Sequence, residues 1–245
     1  MKTVVTMTCW PKRINQLPIF LEKFFSTQTV KPDLFYIWLS TEEFPDHKIP
    51  DELVKQIELN NIILKWIDKN EYCHKRWKVY PDHYEDVVIS LDEDRIYPYD
   101  LIEYANTVNT ITNLYIPQTK EYHKAYLPSF CGQCIIPPNT FPWETYSEQY
   151  VKDRLLLSPK CDECWINTFL LKNNTKISID LSLINPCEYD YACNIDETAL
   201  HKNFNDKANM MYNTANYMRL KYGFNIDMNK VLECCNYILT CYSKS

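Results

Sequence analysis

VVISLDEDRIYPYD, residues 87–100, runs from a stretch of apolar residues straight into three acids, Asp92, Glu93 and Asp94, with Pro98 close behind. A short apolar run bounded by turn formers reads as a buried strand, and ligands of open α/β sheets gather outside the carboxyl ends of such strands. Side chains alternate along an extended chain, which puts Asp92 and Asp94 on one side. Two carboxylates that close repel unless a cation lies between them. Mg2+ or Mn2+ is the natural occupant, since both favour carboxylate oxygen and the phosphates of a substrate. The competing reading is a solvated acidic turn before a helix, where acids are favourable in any case. The position at the end of a buried strand favours the metal.

Upstream, TVVTMTCW (3–10) is β-rich, and Ile14, Leu17, Leu21, Phe24 and Phe25 then recur at helical spacing. DLFYIWLS (33–40) and IILKWID (62–68) read as a second and a third strand, separated by a short helix that Pro50 opens. Strands alternating with helices predict a parallel sheet. Beyond Asp94 the alternation ends. A helix is expected over 97–108, then an irregular stretch broken by Pro128, Pro137 and Pro138, then helices over 146–157, 162–173, 204–224 and 228–242.

The 245 residues carry a formal charge of −6 and no dense basic run, which argues against a nucleic-acid partner. Gly132 and Gly223 are the only glycines, so the glycine-rich loops of Rossmann and P-loop nucleotide sites are excluded. The N-terminal MKTVVTMTCW meets polar residues too soon for a signal-peptide core, and a cytoplasmic location is expected. Eleven cysteines without an export signal read as buried thiols, not as a disulfide framework.

From Val4 to about Tyr222 the chain resembles bacterial-type glycosyltransferases of the GT-A fold, family 2-like enzymes that build surface polysaccharides. The resemblance rests on VVTMTCWPKRI, QTVKPDLFYIWLSTEEFP, HKRWKVYPDHYEDVVISLDEDRIYPYDLIE, GQCIIPP and CDECWIN, in that order. It implies a single α/β, Rossmann-like domain with a mostly parallel central sheet flanked by helices. Residues 1–97 would bind the nucleotide-sugar, 98–203 would face the acceptor, and 204–245 would form a helical C-terminal part. A sugar would pass from a nucleotide-sugar donor, a UDP-sugar foremost, to a glycan or other hydroxyl acceptor by inverting displacement. The resemblance also leaves room for peripheral association with a membrane.

In this family the strand-end D-x-D holds the metal that bridges the donor diphosphate, a role carried to Asp92 and Asp94 with His201 as a candidate third ligand. Glu93 stands where Asp is more usual and bears on donor choice. Thr8, Pro11 and Arg13 belong to the loop set against the base and ribose, and Lys75 to the donor phosphates. Neighbouring Arg76 and Lys78 read as a basic helix face. Gly132 would keep space open where sugar and acceptor meet. Asp162 or Glu163 would take the proton of the attacking hydroxyl, although an acidic first turn stabilises a helix without any catalysis. Trp143 and Trp165 are candidates to pack under a sugar ring or in the core.

Two rival readings stand beside the transferase. Cys131, Cys134, Cys161 and Cys164 form two C-x2-C units that suggest a zinc-stabilised interaction domain. Their separation exceeds that of ribbons, and neither unit has a glycine after its second cysteine. Cys161 and Cys164 then become neighbours on one helix face. A nucleotidyltransferase would share the sheet and acids but needs a glycine-rich loop after the first strand, which is missing; a degenerate transferase kept as a binding module is the remaining alternative.

Overall fold

The computed structural model describes residues 1–114, 133–179 and 206–242. Its strands are β1 (Thr3–Thr8), β2 (Leu34–Ser40), β3 (Ile63–Ile67), β4 (Val87–Ser90), β5 (Ile111–Asn113), β6 (Cys134–Ile136) and β7 (Ile177–Ile179). They make one sheet in the order β3-β2-β1-β4-β6-β5-β7. Pairing is parallel for β1 with β2 and β4, for β2 with β3 and for β5 with β7, while β6 runs antiparallel to both β4 and β5. The mostly parallel α/β sheet agrees with the sequence reading. The antiparallel β6 lies in a stretch whose prolines hide a three-residue strand from any periodicity.

Alternation along the strands sends side chains into two apolar layers. Val5, Met7 and Ile89 face α1 (Leu17–Thr27), α2 (Asp51–Leu59) and α3 (Leu101–Ala105). Val4, Val88 and Ile136 face Trp77, α5 (Asp162–Lys172), α6 (Lys207–Tyr222) and α7 (Met228–Tyr242). On this second side α4 (Val151–Leu157) precedes α5. Such two-sided burial explains why the central strands read as continuous apolar runs. Each fully buried aliphatic side chain contributes roughly 1.5–3 kcal/mol of transfer free energy.

Local chemistry sets the helix ends. Pro50 is the residue before α2, and Asp51 and Glu52 occupy its first turn, where acids suit the helix dipole. Gly223 ends α6 at φ 67°, a left-handed conformation that glycine adopts without strain. The expected helix over 97–108 is confined to Leu101–Ala105, because Pro98 and the Asn106 cap bracket it. Among the described residues no helix is long and apolar enough to cross a membrane.

Candidate active site

β4 ends at Ser90, so Asp92, Glu93 and Asp94 lie beyond the strand, the last two in a turn. Period-two alternation therefore does not govern them, and Asp92 and Asp94 are held by different partners. Asp92 turns to Arg76, which donates to its Oδ1, and to Gln133, whose amide donates to Oδ2 at 2.6 Å. Glu93 and Asp94 instead share Arg13, whose Nη1 lies 3.1 Å from Glu93 Oε1 and 3.0 Å from Asp94 Oδ2. Tyr97 fixes the turn by accepting the Asp92 backbone N–H at 2.8 Å and donating to the Asp92 carbonyl at 3.1 Å.

Arg76 corrects the sequence reading. It belongs to a long 3-10 segment, Tyr72–His83, that packs under the sheet, and it is 6% exposed, not part of a solvated basic face. The apolar neighbours Trp77, Val79 and Tyr80, all buried, draw this segment inward. The Thr6 hydroxyl on β1 donates to the Arg76 carbonyl at 2.7 Å, locking the backbone against the sheet. One edge of the guanidinium then reaches Asp92, while Nε lies 3.3 Å from Asp162 Oδ2 at the start of α5. Lys78 is partly buried as well and pairs with Glu71 at 2.9 Å.

The two members of the acid pair differ sharply. Asp162 is buried and also accepts the Trp77 indole N–H at 2.7 Å. Burial alone would raise its pKa, but the Arg76 charge and the Trp77 hydrogen bond outweigh burial and hold it below the usual carboxylate range. The Glu163 side chain is 24% exposed, pairs with Lys207 at the head of α6, and accepts the Cys161 thiol at 3.3 Å. Glu93 shows the opposite shift from Asp162: burial first, then the Asp94 charge, push its carboxyl up, against the pull of Arg13.

The remaining nominated residues fall around this network. Thr8 donates to the Trp38 carbonyl at 2.7 Å, and Pro11 is exposed on the loop that carries Arg13. Lys75 is buried with its ammonium held by Glu43 and, at 3.1 Å, by Asn70 Oδ1. Trp165 is core, donating its N–H to the Thr145 carbonyl at 2.8 Å, whereas Trp143 is 62% exposed. Gly132, Cys131 and His201 lie outside the described residues. Gln133 and Arg76 are the site residues that sequence reasoning missed; the buried aromatics flanking Arg76 were its only local signal.

Among the described residues no group of three or more His, Cys, Asp or Glu side chains is set to hold a metal. The donor set nevertheless fits a hard divalent ion that draws further ligands from a substrate. Four carboxylates, Asp92, Glu93, Asp94 and Asp162, are bonded to two guanidiniums, Arg13 and Arg76, so four minus two leaves a formal excess of two negative charges in that described network. Asp92 retains 31% side-chain exposure, which keeps it within reach of an arriving ion.

No family model matches the chain, and no curated protein matches it. Among solved structures, S. aureus TarS 1-349 superposes with a TM-score of 0.57 at 13% identity, over 100% of this chain and 73% of that one. TarS is a glycosyltransferase of GT-A type. The chain shares the α/β fold of that structure. On such a fold the strand-end acids and the head of α5 occupy one bonded network, with Arg76 as the link between them.

Proposed function

We propose that the chain is a glycosyltransferase that moves a sugar from a nucleotide-sugar, a UDP-sugar foremost, to a hydroxyl acceptor in glycan or surface-polysaccharide synthesis. The observation that carries this reading is the Arg76 bridge, which brings acids suited to a donor's metal and acids suited to an acceptor's proton into one network. The glycosyltransferase-like fold supports it.

In this proposal Mn2+ or Mg2+ would be held by Asp92 and Asp94, with His201 as a further ligand, and would supply charge neutralisation for the leaving diphosphate. Arg13 releases Asp94 as the donor binds and is then free to face the donor's anionic groups. Thr8 and Pro11 would meet the base and ribose, Lys75 the donor phosphates once Glu43 yields it, and Glu93 the sugar or ribose. Transfer is by inverting displacement, in which a base takes the acceptor proton while the anomeric carbon is attacked from the opposite face. Glu163 is assigned as that base. Its carboxylate is partly exposed, and its partner Lys207 sits on a separate helix. Asp162 is a positioning residue, because burial holds it fixed while its donors, against the effect of burial, hold it ionised.

Thermal unfolding in the presence of UDP- and GDP-sugars, with and without Mn2+, tests the donor site, and released nucleoside diphosphate reports turnover. The expected result is metal-dependent stabilisation by one nucleotide class. Absence of stabilisation by every nucleotide, with or without metal, overturns the reading.

A further inference from the structure

We infer that Cys161 and Cys164 form a reversible dithiol–disulfide site that controls Glu163. Cys161 is the residue before α5 and Cys164 lies one turn into it. Their sulfurs are 3.2 Å apart, and the side chains are buried, at 6% and 1% exposure. Both thiols are free. Neither is simply filling the core. Cys161 donates to Glu163 Oε2 at 3.3 Å, and Cys164 donates to the Lys207 carbonyl at 3.5 Å, so the pair touches both partners of the Glu163–Lys207 ion pair.

The chemistry needs an oxidant, and a small hydroperoxide suits thiols this enclosed. The Cys161 thiolate attacks one peroxide oxygen, the O–O bond breaks, and the departing hydroxide takes a proton to leave as water (or as an alcohol from an organic hydroperoxide). Cys161 is then a sulfenic acid. Cys164 sulfur attacks it, the S–O bond breaks, and a second water leaves with the Cys164 proton. The two thiols are oxidised by two electrons in total and the peroxide is reduced by two. A dithiol reductant reverses the step by exchange.

Closing the bond draws the sulfurs to about 2.0 Å and imposes a fixed dihedral on the first turn of α5. It also removes both S–H donors, one from the Glu163 carboxylate and one from the Lys207 carbonyl. The residues between the sulfurs are Asp162 and Glu163 themselves, so the constraint falls on the acid pair. The neighbouring Cys164, and then burial, keep the Cys161 thiol protonated, which guards the site until oxidant is sustained.

The control of turnover rests on the proposed transferase reading, whereas formation of the bond does not. The full chain is treated with hydrogen peroxide, and intact mass, peptide mapping and donor turnover are read before and after dithiothreitol. The expected outcome is loss of two hydrogens, mapped to a 161–164 bridge, with turnover falling at least ~100-fold, the lower end of what a positioned base contributes. Dithiothreitol restores both. Cys161→Ala and Cys164→Ser each abolish the bridge and keep under peroxide whatever turnover they have without it. Failure to form the 161–164 bridge, or undiminished turnover once it has formed, overturns the inference. A bridge that forms in a protein without turnover in either state overturns control of Glu163 and, separately, the transferase reading.

Discussion

Replacing Arg76 by Met gives the sharpest test of the network, because the two carboxylates it serves differ in their access to water. Asp92 has 31% side-chain exposure and keeps the Gln133 amide, so it rehydrates when the guanidinium is gone. Asp162 has 5% side-chain exposure and, among the described residues, keeps the Trp77 N–H. Removing one partner of a buried ion pair costs about 3–5 kcal/mol, chiefly for the charge left behind. With one of the two acids able to rehydrate, the expected loss for Arg76→Met is about 3 kcal/mol, the bottom of that range. For a chain of this size that lowers the midpoint of thermal unfolding by roughly 6–12 °C. Asp162→Asn removes the stranded charge and leaves Arg76 on Asp92, so its own cost is about 1.5–3 kcal/mol, that of a hydrogen bond to a charged group. The double variant should then fall short of the sum by at least ~1 kcal/mol, as residues sharing one network do. Urea unfolding of the four proteins, followed by tryptophan fluorescence, closes the cycle. Additivity within ~0.5 kcal/mol would sink the claim that Arg76 and Asp162 form one unit. Arg76→Lys should lie between Arg76 and Met, since a single ammonium cannot serve both edges that the planar guanidinium serves.

Glu163→Gln is expected to lower turnover ~100-fold or more while the donor's dissociation constant, from titration calorimetry, stays within about twofold; a loss confined to donor binding would exclude Glu163 as the base. Asp92→Asn and Asp94→Asn should each abolish the thermal stabilisation that Mn2+ adds to a bound nucleoside diphosphate, and retention of that metal effect in both would remove these acids from the metal site. His74, fully buried between the Tyr146 hydroxyl and the Ser158 carbonyl, has its pKa lowered by burial from 6.5 to about 4. The unfolded chain therefore binds a proton that the folded chain refuses, so stability declines as pH falls through the window between those two values, by up to about 3 kcal/mol in all. His74→Gln should flatten that decline in urea titrations, and an unchanged slope would assign it to other groups.

What the sequence made legible follows the range of its signals. β1 and β4 are central strands buried on both faces, so their apolar runs could be read one residue at a time; the half-buried β2 and the edge strand β3 were legible as apolar runs between turn formers, and the helices by apolar residues recurring every three or four positions. β6 was not legible: three residues among prolines carry no period, and its antiparallel pairing depends on β4 and β5, both distant in sequence. The three acids were legible as a strand end. Their partners were not, because β4 stops at Ser90 and the turn that follows answers to Arg13, Arg76 and Gln133. Arg76 looked like one more cation in a basic run. Only the inward pull of Trp77, Val79 and Tyr80 separates it from a surface residue.

The site's electrostatics also bear on the order in which ligands can arrive. The described network carries a formal excess of two negative charges with every carboxyl ionised, and the raised pKa of Glu93, caused first by burial and then by Asp94, trims that excess wherever Glu93 takes a proton. A diphosphate approaching alone would meet repulsion, and the low-dielectric surroundings of buried Glu93 and Asp162 would screen little of it. A diphosphate accompanied by a divalent cation is nearly neutral and meets acids suited to oxygen ligation. Arg13, shared between Glu93 and Asp94, is then the natural group to change partner, since an incoming phosphate offers it anionic oxygens in place of the carboxylate it yields. Arg76 has no such freedom. It is closed in by Thr6, Asp92 and Asp162, so the two acid clusters stay linked while the donor side rearranges. On this argument Arg13 answers to the donor and Arg76 to the fold. Replacing Arg13 should therefore weaken donor binding, and, since Arg13 and Glu93 are buried partners, cost stability as well, whereas Arg76 variants should act on stability first.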